Sequence, residues 1–161
     1  MNTEALEINK IYEFYSNKTQ TDHFDVGKVL LKDQGRLLIV SYPVEKEPPQ
    51  LQYVDASVIY RFSANTDYIN SIKMNCQLKT EDLHIQELKD LRKGLLSYCR
   101  DNDLPTYIEL YNSNQIDAYG YVLNIGDDTV IIRQLSENDG SDGSTEIVLG
   151  SVTRVAVDIE I

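Results

Sequence analysis

The sequence predicts a mainly β protein with helices (α+β), built as two tandem small barrels, each preceded by an α-helix. Three observations carry that expectation. First, one pattern occurs twice: Gly27, Val29, Leu30, Leu37-Leu38-Ile39, Val54, Ser57 and Val58 return as Gly120, Val122, Leu123, Val130-Ile131-Ile132, Val148, Ser151 and Val152. The copies lie 93 residues apart at the front of the unit and 94 at the back, which places a one-residue gain in the loop between. Recurrence at a fixed spacing reports architecture before chemistry. Second, period-two alternation of Val, Ile, Leu and Tyr dominates both halves. Third, Gly27 and Gly120 fall inside strands, where glycine marks a bulge or sharp bend that lets about five strands curl into a small barrel. An open α+β sheet with the same elements is the alternative.

Taken in order, Thr3 to Tyr15 spaces Ala5, Ile8, Tyr12 and Tyr15 as a helix does, with Glu4 and Glu7 in the early turns. Polar residues from Ser16 to Asp22 end it. Strands are expected over Val26–Leu31, Arg36–Tyr42, Leu51–Val54 and Ser57–Phe62, with a tight turn at Asp33-Gln34-Gly35 and one more strand over Thr66–Met74. Pro43 to Pro49 is a charged loop that breaks pairing. The second half opens on Thr80 as N-cap, followed by Glu81 and Asp82, and Leu88, Leu91, Leu95 and Cys99 form one apolar helical face. Strands then follow over Tyr107–Tyr111, Ala118–Ile125, Thr129–Leu135, Thr145–Leu149 and Ser151–Ile159. The domain reading is residues 1–78 for the first repeat and 79–161 for the second.

Bulk composition narrows the function classes. At 161 residues, each half is near the size where one small core barely suffices, so the halves are expected to share an interface or to associate with other copies. A net charge of −11 repels phosphate at long range and leaves no electrostatic footprint for non-specific nucleic-acid binding. The polar, acidic N-terminus lacks a signal-peptide core, and no apolar run reaches membrane-spanning length. The only cysteines, Cys76 and Cys99, lack metal-motif spacing and read as reduced thiols. The expectation is a cytoplasmic protein with no membrane partner.

These residues resemble the Sm-like family (LSm/Hfq-like, small SH3-like barrels). The resemblance rests on Ile108-Glu109-Leu110, Gly120, Val122, Asp127 and Val130 to Ile132 as a first motif, and on Leu149-Gly150-Ser151-Val152 as a second. In the first half, Gln52 to Val58 is similar to the Hfq closing segment. Gly27, Gly120 and Gly150 are the expected bend positions. The resemblance implies tandem barrels and edge-to-edge assembly, hence a homo-oligomer, with a ring as one form. The family's base-gripping groups are missing: Thr129 and Val130 stand where an Asn is usual, Leu149 where an Arg is usual, and Val54-Asp55 where Hfq carries Lys-His.

Remaining candidates are few. Lys89, Lys93 and Arg100 share one helical stripe with Arg92 beside it: either a basic face for RNA or an acidic partner, or a solvated face complementing the helix C-terminus. Tyr42, Tyr119 and Tyr121, near strand ends or the bend glycine, are the tyrosines placed to stack on a base or a partner. Glu137 to Gly143 lacks EF-hand spacing and reads as a hairpin loop. His23 and His84 stand alone, and no nucleophile elbow, phosphate loop or metal cluster appears. No catalytic residue, cofactor site or metal site is expected. The functional expectation is a non-catalytic Sm-like assembly or protein-interaction module with a protein partner. The alternative is an RNA-binding Sm/Hfq-like regulator using a non-standard site.

Overall fold

The computed structural model describes residues 2–42, 47–71, 89–111, 113, 115–136, 138 and 140–160. After a 3-10 turn at Thr3–Ala5, the first half carries β1 (Ile11–Tyr15), β2 (Asp25–Asp33), β3 (Arg36–Tyr42), β4 (Gln50–Asp55), a 3-10 turn at Ala56–Val58, β5 (Arg61–Ser63) and α1 (Asp67–Ser71). The second half carries α2 (Leu91–Asp101), β6 (Thr106–Leu110), β7 (Ala118–Ile125), β8 (Thr129–Leu135), β9 (Ser141–Val148), a 3-10 turn at Leu149–Ser151 and β10 (Val152–Asp158). All ten strands join one antiparallel sheet in the order β5-β1-β2-β3-β4-β10-β6-β7-β8-β9.

This corrects the expectation of two tandem barrels, each behind a helix. The sheet is open, and the two halves are fused by β4 pairing with β10, from Arg154↔Val54 to Asp158↔Gln50. The backbone groups that would have closed each half on itself are spent on the other half. The N-terminal helix is also absent. Asn9 has φ 66°, which interrupts any helix, and Ile11–Tyr15 forms a central strand between β2 and β5. Its alternation sends Tyr12 and Phe14 into a core, while Glu13 accepts a hydrogen bond from the Tyr15 hydroxyl at 2.9 Å and another from Thr66. Ile8, expected on the helical face, is 49% exposed. The strand expected from Thr66 is helix α1 as far as Ser71, with the Ile69 N–H donating to the Thr66 hydroxyl, while residues 72–74 lie outside the described set. The domain boundary at 78/79, the Thr80 cap with Glu81 and Asp82, Leu88, Cys76 and His84 also lie outside it.

The repeat itself is present in the pairing. Gly27↔Ser41, Val29↔Ile39 and Leu37↔Val54 in the first half match Gly120↔Gln134, Val122↔Ile132 and Val130↔Ile147 in the second, each 93 residues on. A bulge follows the glycine at the same place in both, between Val29 and Leu31 and between Val122 and Asn124. The 3-10 turns correspond too: Ala56 N–H donates to the Gly35 carbonyl and Leu149 N–H to that of Asp128. The 93-residue spacing therefore persists at the back of the unit, and the counterparts of Ser57 and Val58 are Gly150 and Ser151. The one-residue difference falls between the first two strands instead, because Tyr15↔Arg61 matches Glu109↔Arg154 with the first strand offset by 94.

Glycine has steric reasons at two of the three bend positions. A Cβ on Gly120 would overlap the Arg133 carbonyl group, and one on Gly27 would lie 3.1 Å from Ile39 Cδ1 and 3.2 Å from the Val40 carbonyl oxygen. Gly150 has open space around it, so the 3-10 turn, not the missing side chain, makes the bend there.

The helix α2 separates the roles of the halves. Asp90 caps it by accepting from the Arg92 and Lys93 N–H groups at 3.1 Å each, and Asp103, with φ 53°, ends it. Leu91, Leu95, Leu96 and Cys99 are buried against Leu38, Val40, Leu51 and Tyr53 of the first half and Ile108, Val122 and Val155 of the second. Each fully buried leucine contributes about 1.5–3 kcal/mol. A second core, around Leu6, Tyr12, Phe14, Val29, Leu37, Ile39 and Val54, lies wholly within the first half. The first half thus buries both faces of β3 and β4. The positions matching Val40, Leu51 and Tyr53 are Arg133, Ser144 and Glu146, all exposed.

Candidate functional site

The β4–β10 joint brings one cation into a cleft between the halves. Arg154 is the one cation of β10, with its side chain only 12% exposed. Its Nη1 donates to Asp25 Oδ2 and to Gln52 Oε1, each at 2.9 Å, and its Nη2 donates to Ser16 Oγ at 3.1 Å. Its Nε lies 3.3 Å from Glu109 Oε2. Ser16, Asp25 and Gln52 belong to the first half and Glu109 to the second, so this guanidinium ties the halves together. Burial pulls the Arg154 pKa down, but the Asp25 and Glu109 carboxylates outweigh it and hold it above the ordinary value. Burial pushes the Glu109 carboxyl up; Arg154 pulls it down by less, while Asp25 and Asp117 push it further up. One guanidinium does not neutralise the carboxylates gathered here.

The network extends along the cleft. Gln52 donates to Ser41 Oγ at 2.8 Å and to Gln50 Oε1 at 2.9 Å, and Gln50 donates to Asp158 Oδ1 at 2.9 Å. The Tyr107 hydroxyl donates to Asp158 Oδ2 at 3.2 Å, and its pKa is raised by burial first and by Asp158 next. The cavity holds about 1040 Å³. Its walls include Phe24, Tyr42, Tyr68 and Tyr107, and its carboxylates among the described residues are Asp22, Asp25, Glu47, Glu109 and Asp158. Phe24 meets Tyr68 edge-on at 5.2 Å and Tyr15 at 5.3 Å, which holds that wall in place.

Two of the three singled-out tyrosines belong to this region. Tyr42 lines the cleft, and Tyr119 stacks on Tyr107 at 4.7 Å with 20° between the planes. Tyr121 lies elsewhere, with the Arg133 guanidinium over its ring at 4.9 Å. The four cations of the basic stripe have different surroundings. Lys89 is exposed ahead of α2, Arg92 donates to the Leu149 carbonyl, Lys93 is half-buried, and Arg100 pairs with Asp101 at 2.9 Å. None of these four lines the cleft. His23 does, as an exposed residue.

Sequence reasoning missed Arg154, Asp25 and Glu109. A signal was available for Arg154: a lone arginine alternating within Val152-Thr153-Arg154-Val155-Ala156-Val157 must find a partner if its strand is interior. Among the described residues no group of three or more His, Cys, Asp or Glu is arranged to hold a metal ion. No described helix is long and apolar enough to cross a membrane. Comparison with protein-family models, curated proteins and solved structures finds no match to this chain.

Proposed function

We propose that this protein is a non-catalytic assembly and protein-interaction module related to the Sm-like family. The observation that carries the reading is the repeated unit joined edge to edge through β4 and β10. The relation is supported by the shared order of glycine-bent strand, tight turn, apolar strand, 3-10 turn and closing strand in both halves. Edge pairing of this kind is an assembly device, and among the described residues two edges, β5 and β9, remain at the ends of the sheet.

Those edges give the chain surfaces for self-association. They are weaker than the internal joint for two reasons. The β5 strand has three residues against seven in β10, and the face beside β9 carries Arg133, Ser144 and Glu146 where the first half presents Val40, Leu51 and Tyr53. Association through them is therefore expected to depend on concentration. The net charge of −11, with Arg92 and Arg100 already engaged by the Leu149 carbonyl and Asp101, favours a protein over a nucleic acid as partner.

Two measurements test this. Light scattering over a wide concentration range should show mass rising with concentration, and filter binding against pooled cellular RNA should show no retention at low salt. A strict monomer throughout would remove the self-assembly part. RNA retention that falls as salt rises would replace the protein-partner reading with an RNA-binding one.

A further inference from the structure

We propose that the cleft between the halves is a docking site for a basic peptide segment of a partner protein, holding its Lys or Arg side chains between aromatic walls and a carboxylate rim. The inference rests on the reading of the chain as a protein-interaction module and names the chemistry of the partner.

Three independent features converge. The first is charge complementarity. Among the described residues the cleft carries five carboxylates and a single guanidinium, and that guanidinium is already engaged by Asp25, Gln52, Ser16 and Glu109. Among the described residues no cation lies within ion-pair distance of Asp22, Glu47 or Asp158. An incoming cation would meet carboxylates without displacing an existing pair, and an anion would meet repulsion.

The second feature is the walls. Tyr68 is 39% exposed and Ile116 54% exposed at the cleft, so apolar and aromatic surface faces the opening. An ammonium or guanidinium over such rings gains a cation–π attraction that water does not supply, and the stems of Lys and Arg pack on the ring edges. The third is size. A volume of about 1040 Å³ is at the upper end for small-ligand sites and is far larger than one ion needs. It suits several residues of an extended segment.

The probe is a fluorescein-labelled oligolysine or oligoarginine peptide of about eight residues, titrated with the full chain and read by fluorescence anisotropy at low salt. The test variant combines Asp22→Asn, Glu47→Gln and Asp158→Asn. A control variant combines Asp142→Asn and Glu146→Gln on β9, which removes charge away from the cleft. A third variant, Tyr68→Ala, removes aromatic wall without changing charge. Melting curves establish that each is folded.

The proposal expects saturable binding to the wild-type chain, at least tenfold weaker binding in the triple cleft variant, at least threefold weaker binding for Tyr68→Ala, and no more than a twofold change in the β9 control. Equal weakening in cleft and β9 variants would mean attraction by the acidic surface as a whole and overturns the site. Absence of binding to the wild type overturns it too. Either failure leaves concentration-dependent assembly and the absence of RNA retention as they stand, so the cleft inference and the broader reading fall separately.

Discussion

Replacing Arg154 by Met tests the joint between the halves most directly. The side chain is 12% exposed and serves Asp25, Gln52, Ser16 and Glu109 at once. Removing one partner of a buried ion pair costs about 3–5 kcal/mol, mostly because the remaining charge is left uncompensated. Here water recovers part of that loss, since the side chains of Asp25 and Glu109 are 46% and 30% exposed. About 2–3 kcal/mol should remain, and for a chain of this length each kcal/mol moves Tm by about 2–4 °C. The expected fall is roughly 5–10 °C by calorimetry. Glu109→Gln alone and the pair Arg154→Met/Glu109→Gln complete a cycle, because with Glu109 neutral the methionine no longer strands its charge. The double variant should be more stable than the sum of the two single effects by at least about 1 kcal/mol. Additivity to within about 0.5 kcal/mol, or a negligible effect of Arg154→Met, would refute the guanidinium as a cross-half tie.

The same cycle has a pH dependence. The Glu109 carboxyl titrates above its ordinary 4.5 in the folded chain, because burial exceeds the pull of Arg154. The folded state therefore binds this proton more tightly than the unfolded state, and stability from this group falls as pH rises through the window just above 4.5. Wild type should lose ground against Glu109→Gln across that window in denaturant titrations at stepped pH.

Three further outcomes follow from packing. Gly120→Ala drives a methyl into the Arg133 carbonyl group and should cost about 3 kcal/mol or more, while Gly27→Ala, with contacts at 3.1 and 3.2 Å, should cost about half of that or less; urea midpoints compare them. Leu95→Ala opens a cavity under α2, where the side chain is wholly buried, and should lower stability by about 2–5 kcal/mol in the same measurement. Burial pushes the Cys99 thiol up to about 11, so iodoacetamide at mildly alkaline pH should label Cys99 only on unfolding, as mass spectrometry of the digested protein would show.

Much of the local structure was legible. The runs Val26–Leu31, Arg36–Tyr42 and Ala118–Ile125 became β2 (Asp25–Asp33), β3 and β7, because runs rich in Val, Ile and Leu between turn residues favour extended backbone in each strand alone. The Leu91, Leu95 and Cys99 face of α2 held because helical spacing is likewise local. Thr3 to Tyr15 was misread because its apolar residues satisfy two periods, and only a neighbour at Gly27 and Val26 chooses the strand over the helix. The junction cleft was hidden for a different reason. Its residues come from β2, β3, β4, β6, β10, α1 and the loops between, and nothing local marks Asp25 or Glu109 as partners of an arginine far along the chain.

The chain by itself determined that a glycine-bent strand unit occurs twice, that it is acidic, and which residues in most strands face inward, since these depend on composition and on a period that neighbouring residues share. The tertiary structure alone decided that the two units form one open sheet, that the register keeps a 93-residue offset to the back of the unit, and that Arg154 sits at the seam. Those outcomes depend on which edge meets which. Unpaired backbone on β4 is satisfied equally well by any strand of matching length and face, and here β10 takes it, over a hundred residues away.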